Sequence, residues 1–178
     1  MERLKQIILP TLSLVMVALV MTSLMVIVNH LTFDRIQSII YADLIIAKEG
    51  IFPQAENFTR ETVLIDGDEF RYYIVDDNEG YIFITSTFGY GGYMVVVVGI
   101  NAEGLVVGVE VTEHEETVGL GTRVFAYDYE FVNQFKISYT PYGFTLGDNI
   151  DGISGSTVTV DALIATVNYA LEIYREVR

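Results

Sequence analysis

Asp151-Gly152-Ile153-Ser154-Gly155-Ser156-Thr157 sets three side-chain hydroxyls and two glycines just ahead of a helical pattern. Gly152, Gly155 and Ser156 are small, so the Thr157 hydroxyl is sterically open. Beyond it, apolar residues recur at Val160, Leu163, Ile164, Val167, Leu171 and Tyr174 with the helical period. The segment therefore falls at a helix N-terminus, where unpaired backbone N–H groups and the positive dipole end receive an anion such as a phosphodiester. Asp161, one turn in, weakly opposes this. Two readings share the pattern: an acceptor hydroxyl that can enter another enzyme's active site, and a plain turn with a helix cap, which selects the same residue types. Ser154, Ser156 and Thr159 are the rival hydroxyls.

The segment resembles the D-x-x-[S/T]-G-A-T motif at which a flavin transferase esterifies the phosphate of FMN to the final threonine, here Thr157. Ser156 stands where the family usually has alanine. Upstream, Phe88-Gly89-Tyr90-Gly91-Gly92, Asn101-Ala102-Glu103-Gly104 and His114-Glu115-Glu116-Thr117-Val118-Gly119-Leu120-Gly121 resemble the G-Y-G-G, hairpin-turn and E-T-P-G-L-G elements of FMN-binding domains. They occur in family order, and Val118 replaces a frequent proline. On these residues the chain resembles the RnfG and NqrC group of FMN-binding domains, over roughly residues 85 to 170.

The resemblance implies covalent FMN on Thr157, with Asp151, Ser154, Gly155 and Ser156 forming the attachment segment. It implies that the loop Glu116–Gly121 borders the flavin ring, Thr117 offering a polar contact and Leu120 packing on the isoalloxazine, with Gly119 and Gly121 shaping the loop. Tyr90 is a candidate for stacking near the cofactor, although among 12 tyrosines and 10 phenylalanines most rings must be core. It also implies a role as an electron-carrier subunit of an Rnf-type ferredoxin:NAD oxidoreductase that pumps sodium or protons. Other membrane and redox subunits would be its partners, and a flavin transferase would mature it. The chain would not be a catalyst alone, and no catalytic residue is assigned.

The remainder of the chain must place this site. Gln6 through Phe33 contains no Lys, Arg, Asp or Glu, and Ile7–Val28 is almost wholly apolar. About 20 such residues span a bilayer core. The run exceeds a usual signal-peptide core and no A-x-A-like site ends it, so an uncleaved anchor is expected. Arg3 and Lys5 precede the span and an acidic domain follows, which by the positive-inside rule puts the N-terminus in the cytoplasm and the domain outside the inner membrane.

Without Met1–Phe33 the chain keeps 23 acids against 8 bases. That argues against nucleic acid or an anionic membrane surface as partner. With no cysteine there is no disulfide and no thiolate for a cluster. His114 beside Glu115 and Glu116 lacks the spacing of a closed metal site, and no metal is expected. Flavin is the electron carrier such a chain can house.

The expected organisation is an anchor over 1–33, a stalk helix and linker over 34–57, and an α+β domain over 58–178. Ile36, Ile39, Ile40 and Leu44 continue the helical pattern to Gly50, which should end it. A turn at Asp66-Gly67-Asp68 precedes strands over Phe70–Val75, Tyr81–Phe88, Tyr93–Ile100 and Leu105–Thr112, an antiparallel meander. A short aromatic helix near Tyr127–Phe135 and the terminal helix from Thr157 should cover one face. Three further readings remain open: a stand-alone anchored flavin reductase or extracellular electron shuttle, an NqrC-like component of a sodium-pumping quinone reductase, and a non-redox anchored domain in which the motif is only a cap.

Overall fold

An unbroken apolar run favours helix because each backbone hydrogen bond closes within the segment. In a computed structural model, which describes residues 2–65, 67–125, 130–136 and 142–178, that run lies in helix α1 (Glu2–Ile51). Thr11–Thr32, with a mean hydropathy of 2.5, is long and apolar enough to cross a bilayer and buries none of its surface in the protein. It fits a single-pass anchor. The helix ends one residue beyond Gly50, and the side chains of Ile36, Ile39, Ile40 and Leu44 lie outside the described residues.

Backbone proximity separates Met1–Ala42 from Asp43–Arg178. The second unit contains β1 (Phe58–Ile65), β2 (Asp68–Val75), β3 (Gly80–Phe88), β4 (Tyr93–Asn101), β5 (Val106–His114) and α2 (Thr157–Val177). The five strands form one antiparallel meander in chain order, and with the helices the class is α+β. β1 is absent from the sequence reading, because most of its side chains are exposed and its alternation is weak. The expected aromatic helix is described only as a 3-10 segment, Glu130–Lys136; Tyr127 and Tyr129 fall outside the described residues.

α2 lays Val160, Leu163, Ile164, Val167, Leu171 and Tyr174 on one face of the sheet. They meet Tyr72, Tyr81 and Phe83, whose rings stack at 5.8–6.5 Å, and Met94, Val96, Val98 and Ile100 of β4. Each fully buried aliphatic side chain of this kind contributes roughly 1.5–3 kcal/mol. The Tyr174 hydroxyl donates to the Ala102 carbonyl at 3.0 Å and ties the end of α2 to the β4–β5 turn. The Asn168 side chain accepts from the Phe144 N–H at 2.7 Å and donates to its carbonyl at 2.8 Å, holding the preceding loop on the same helix.

The opposite face of the sheet is also covered, which is why β4 reads as a valine run and not as an alternation. Ala47, Val75, Ile82 and Val97 form a second core with Ile51 and Phe52 packed against it. A Cβ on Gly99 would collide with Ile51, and one on Gly108 would lie 2.8 Å from it. Glycines in the strand interiors thus mark a close approach of another segment. At the far end, β5 carries one extra residue against Val95/Val96, a bulge that turns its end toward the loop from Glu115.

Glu110 sits on this second face beside Gly50. Burial pushes its carboxyl above the usual value of 4.5, and Lys136 partly offsets the shift. A raised carboxyl favours the folded state below the unfolded value, and that contribution is lost as pH rises through the folded value. Glu110→Gln should therefore be more stable relative to wild type at pH 7 than at pH 4. Urea midpoints of both proteins at the two pH values check this; an equal difference at both would contradict it.

Candidate functional site

Glu116 leaves the end of β5 and turns inward, so that only 5% of it is exposed. Its Oε2 accepts from the Gly91 N–H at 3.0 Å and its Oε1 from the Thr159 hydroxyl at 3.1 Å. A Cβ on Gly89 or Gly121 would fall on the carboxylate, so these backbones approach it only as glycine. One buried anion thereby joins the Gly-rich turn, its own loop and the first turn of α2. Sequence reasoning places Glu116 among the flavin contacts; in the structure its carboxylate is taken by two protein donors.

The loop Thr117–Gly121 is held against the attachment segment. Ser156, 3% exposed, donates its hydroxyl to the Leu120 carbonyl at 2.7 Å. Gly119 takes a positive φ of 81°, and its N–H donates to the Thr122 hydroxyl at 3.0 Å. Leu120 lies near Gly155, whose φ is +83°, and Leu120, Val118 and Tyr90 are exposed. Thr117 is also exposed.

These contacts sort the hydroxyls. Ser156 and Thr159 are buried and bonded to protein, whereas Ser154 and Thr157 face outward. Thr157 is the first residue of α2, and no side chain caps that helix. Val160 is the first residue of the turn to bond backward, to the Ser156 carbonyl at 3.0 Å. The N–H groups of Thr157, Val158 and Thr159 find no protein acceptor among the described residues. Such a turn presents donors and positive potential beside an open hydroxyl.

Two residues that the sequence reading does not single out brace the segment. Arg123 Nη1 donates to the Ser154 carbonyl at 3.2 Å, bringing a guanidinium to this stretch of an acidic chain. The Gln134 side chain accepts from the Asp151 N–H at 2.7 Å and donates to its carbonyl at 3.4 Å. A rare base just past the glycine loop is a usable signal for Arg123; nothing in the sequence marks Gln134. His114 is exposed, with its ring 4.7 Å from that of Phe125.

Residues 89–172, from the Gly-rich turn into α2, match the family model of the FMN-binding domain. Among relatives, the G subunit of the ion-translocating oxidoreductase complex of Shewanella piezotolerans is 26% identical over 89% of this chain and 85% of its own length. The proteins of the same name from Stutzerimonas stutzeri and Pseudomonas aeruginosa are each 32% identical over about half of this chain (51% and 48%). Those two matches cover less than half of the relatives' own length, 42% and 44%. A crystal structure of the C subunit of the Na(+)-translocating NADH-quinone reductase from Parabacteroides distasonis aligns with a TM-score of 0.49 and 19% identity, over 66% of this chain and 76% of that one.

Removing the Glu116 carboxylate leaves the Gly91 N–H and the Thr159 hydroxyl buried without it. Glu116→Ala should cost about 1.5–3 kcal/mol, the range for hydrogen bonds to a charged group. Glu116→Gln, which keeps the shape and one acceptor, should cost less. Denaturant unfolding of the two variants measures both; equal losses would mean that the charge and its second acceptor are immaterial.

Proposed function

We propose that this chain is the covalent-FMN electron-carrier subunit of a membrane-bound, ion-translocating oxidoreductase of the Rnf type, with FMN held through a phosphoester on Thr157. The observation that carries the reading is that Thr157, inside the segment matching the FMN-binding domain, is exposed and opens an uncapped helix. Its neighbours of like chemistry, Ser156 and Thr159, are buried. Ser154 is exposed too, but it precedes the left-handed turn at Gly155 and is not on the helix.

The residues present fit the group. Three free N–H groups at the start of α2 suit an anionic phosphodiester, and the Arg123 guanidinium adds positive charge nearby. Leu120, Val118 and Tyr90 offer apolar surface for a planar ring, and Thr117 a polar contact. When bound, the isoalloxazine supplies the redox chemistry. The chain's own part is to tether it, shield one side and leave the other open to a neighbouring carrier.

The proposed setting is the outer face of the inner membrane, N-terminus inside, among the other redox and membrane subunits, after maturation by a flavin transferase. The relatives named as G subunits of a complex support the part of that reading that calls for other subunits. An NqrC-like role in a quinone reductase would use the same site. A stand-alone reductase needs an acid-base group at the flavin, and His114 instead packs on Phe125.

Thr157→Ala should abolish attachment and leave the fold intact, because the side chain is exposed. Thr157→Ser should retain some modification, since it keeps a nucleophile. Peptide mass spectrometry of protein made with a flavin transferase decides the matter, and FMN on Ser154, or surviving in Thr157→Ala, would overturn the assignment. A C-terminal reporter that works only in the cytoplasm would overturn the topology.

A further inference from the structure

The sheet forks between β2 and β3. Their pairing runs from Val75↔Gly80 to Tyr72↔Phe83 and stops, although β2 continues back to Asp68 and β3 on to Phe88. β2 stays paired with β1 to Asp68, and β3 with β4 to Phe88. Beyond Tyr72 and Phe83 the two strands therefore present inner edges to a gap. The gap is a cleft of about 360 Å³, lined by Phe70 of β2, Ile84–Thr87 of β3, and Ala165, Thr166 and Tyr169 of α2.

The direction of the free groups follows from the ladder. Gly89 N–H donates to the Gly92 carbonyl and Ala102 N–H to the Glu79 carbonyl, so odd-numbered residues of β3 turn their backbone groups to β4. Alternation then turns the N–H and C=O of Ser86 and Phe88 into the gap. On the other wall, Asp76 N–H donates to Asn57 on the β1 side, so Glu69 turns its groups toward β3. None of these has a backbone partner among the described residues.

We propose that this fork is a docking site for an extended segment of another protein of the complex, which pairs with the inner edge of β3 at Ser86 and Phe88. Strand edges select a partner strand through main-chain hydrogen bonds. From Ile84 to Phe88 the edge is roughly 17 Å long at about 3.4 Å per residue, so the inserted segment is about five residues. Its side chains toward α2 are small, because Ala165, Thr166 and the Phe70–Tyr169 ring pair, 5.4 Å apart, roof that side. Its flanks are basic, to suit Asp68, Glu69 and the net charge of −14. The inference rests on the proposed membership of a multisubunit complex, and FMN on Thr157 is read separately.

Hydrogen exchange on the full-length protein, alone in detergent and within the purified native complex, gives the first test. The Ser86 and Phe88 amides should exchange at least tenfold more slowly in the complex, while Thr85 and Thr87, already facing β4, change little. The chain has no cysteine, so Thr87→Cys supplies a single attachment point for a maleimide-benzophenone probe. Irradiation of the complex should give an adduct to one short segment of one other protein of the complex. Ala165→Trp, at an exposed position on the cleft wall, should reduce co-purification of that protein at least fivefold and leave FMN loading unchanged. Unchanged exchange at Ser86 and Phe88, an adduct to lipid alone, or normal co-purification of Ala165→Trp would each overturn the proposal. Lost FMN loading in wild type would count against the proposed function instead.

Discussion

A carboxylate withdrawn from water is stable only where donors replace its hydration, and the site depends on Glu116 meeting that condition. Its two donors come from a turn 25 residues earlier and a helix 43 residues later. Around it, Gly89, Gly91 and Gly121 come too close for any side chain. Gly89 and Gly121, in two separate loops, therefore share one cause. Both must wrap the same buried anion, and with it they fix where α2 begins.

Much of the architecture was legible because it follows from period. The stripe from Val160 to Tyr174 predicts α2 and its buried face, and short β-branched runs separated by Asp-, Asn- and Gly-rich turns predict the meander. The start of α2 at Thr157 was also readable, since small and hydroxylated residues cluster there. β1 was not, because five of its eight side chains face solvent consecutively or in alternation without a clear apolar partner set. Ile51 and Phe52 were equally hidden: their packing depends on glycines in β3, β4 and β5, and the sequence shows the glycines without showing what approaches them.

At the site, residue types were easier to read than their partners. The motif and Thr159 just beyond it supply four neighbouring hydroxyls of similar intrinsic chemistry, and sequence alone leaves them in competition. Tertiary contacts narrow the choice to Ser154 and Thr157, because Ser156 and Thr159 are used up on Leu120 and Glu116, both distant in the chain. Gln134 is the contact with no trace in the sequence, as it acts on the backbone of the segment, whereas Arg123 stands out as a rare base whose partner, the Ser154 carbonyl, only the fold supplies. The match of residues 89–172 to the FMN-binding domain and the similarity to G subunits of ion-translocating oxidoreductases support the purpose proposed for these contacts.

The bare N-terminus of α2 has a thermodynamic consequence on the proposed reading. Ser156 occupies the cap position but spends its hydroxyl on the neighbouring loop, so the first turn keeps donors that an anion can take. A phosphate bonded to Thr157 would occupy that place permanently. Every contact between the ring and exposed side chains such as Leu120 then becomes intramolecular, governed by a local effective concentration and not by the amount of free cofactor in solution. Side chains this exposed would make a weak receptor for a diffusing ligand, yet they are sufficient for one that cannot leave.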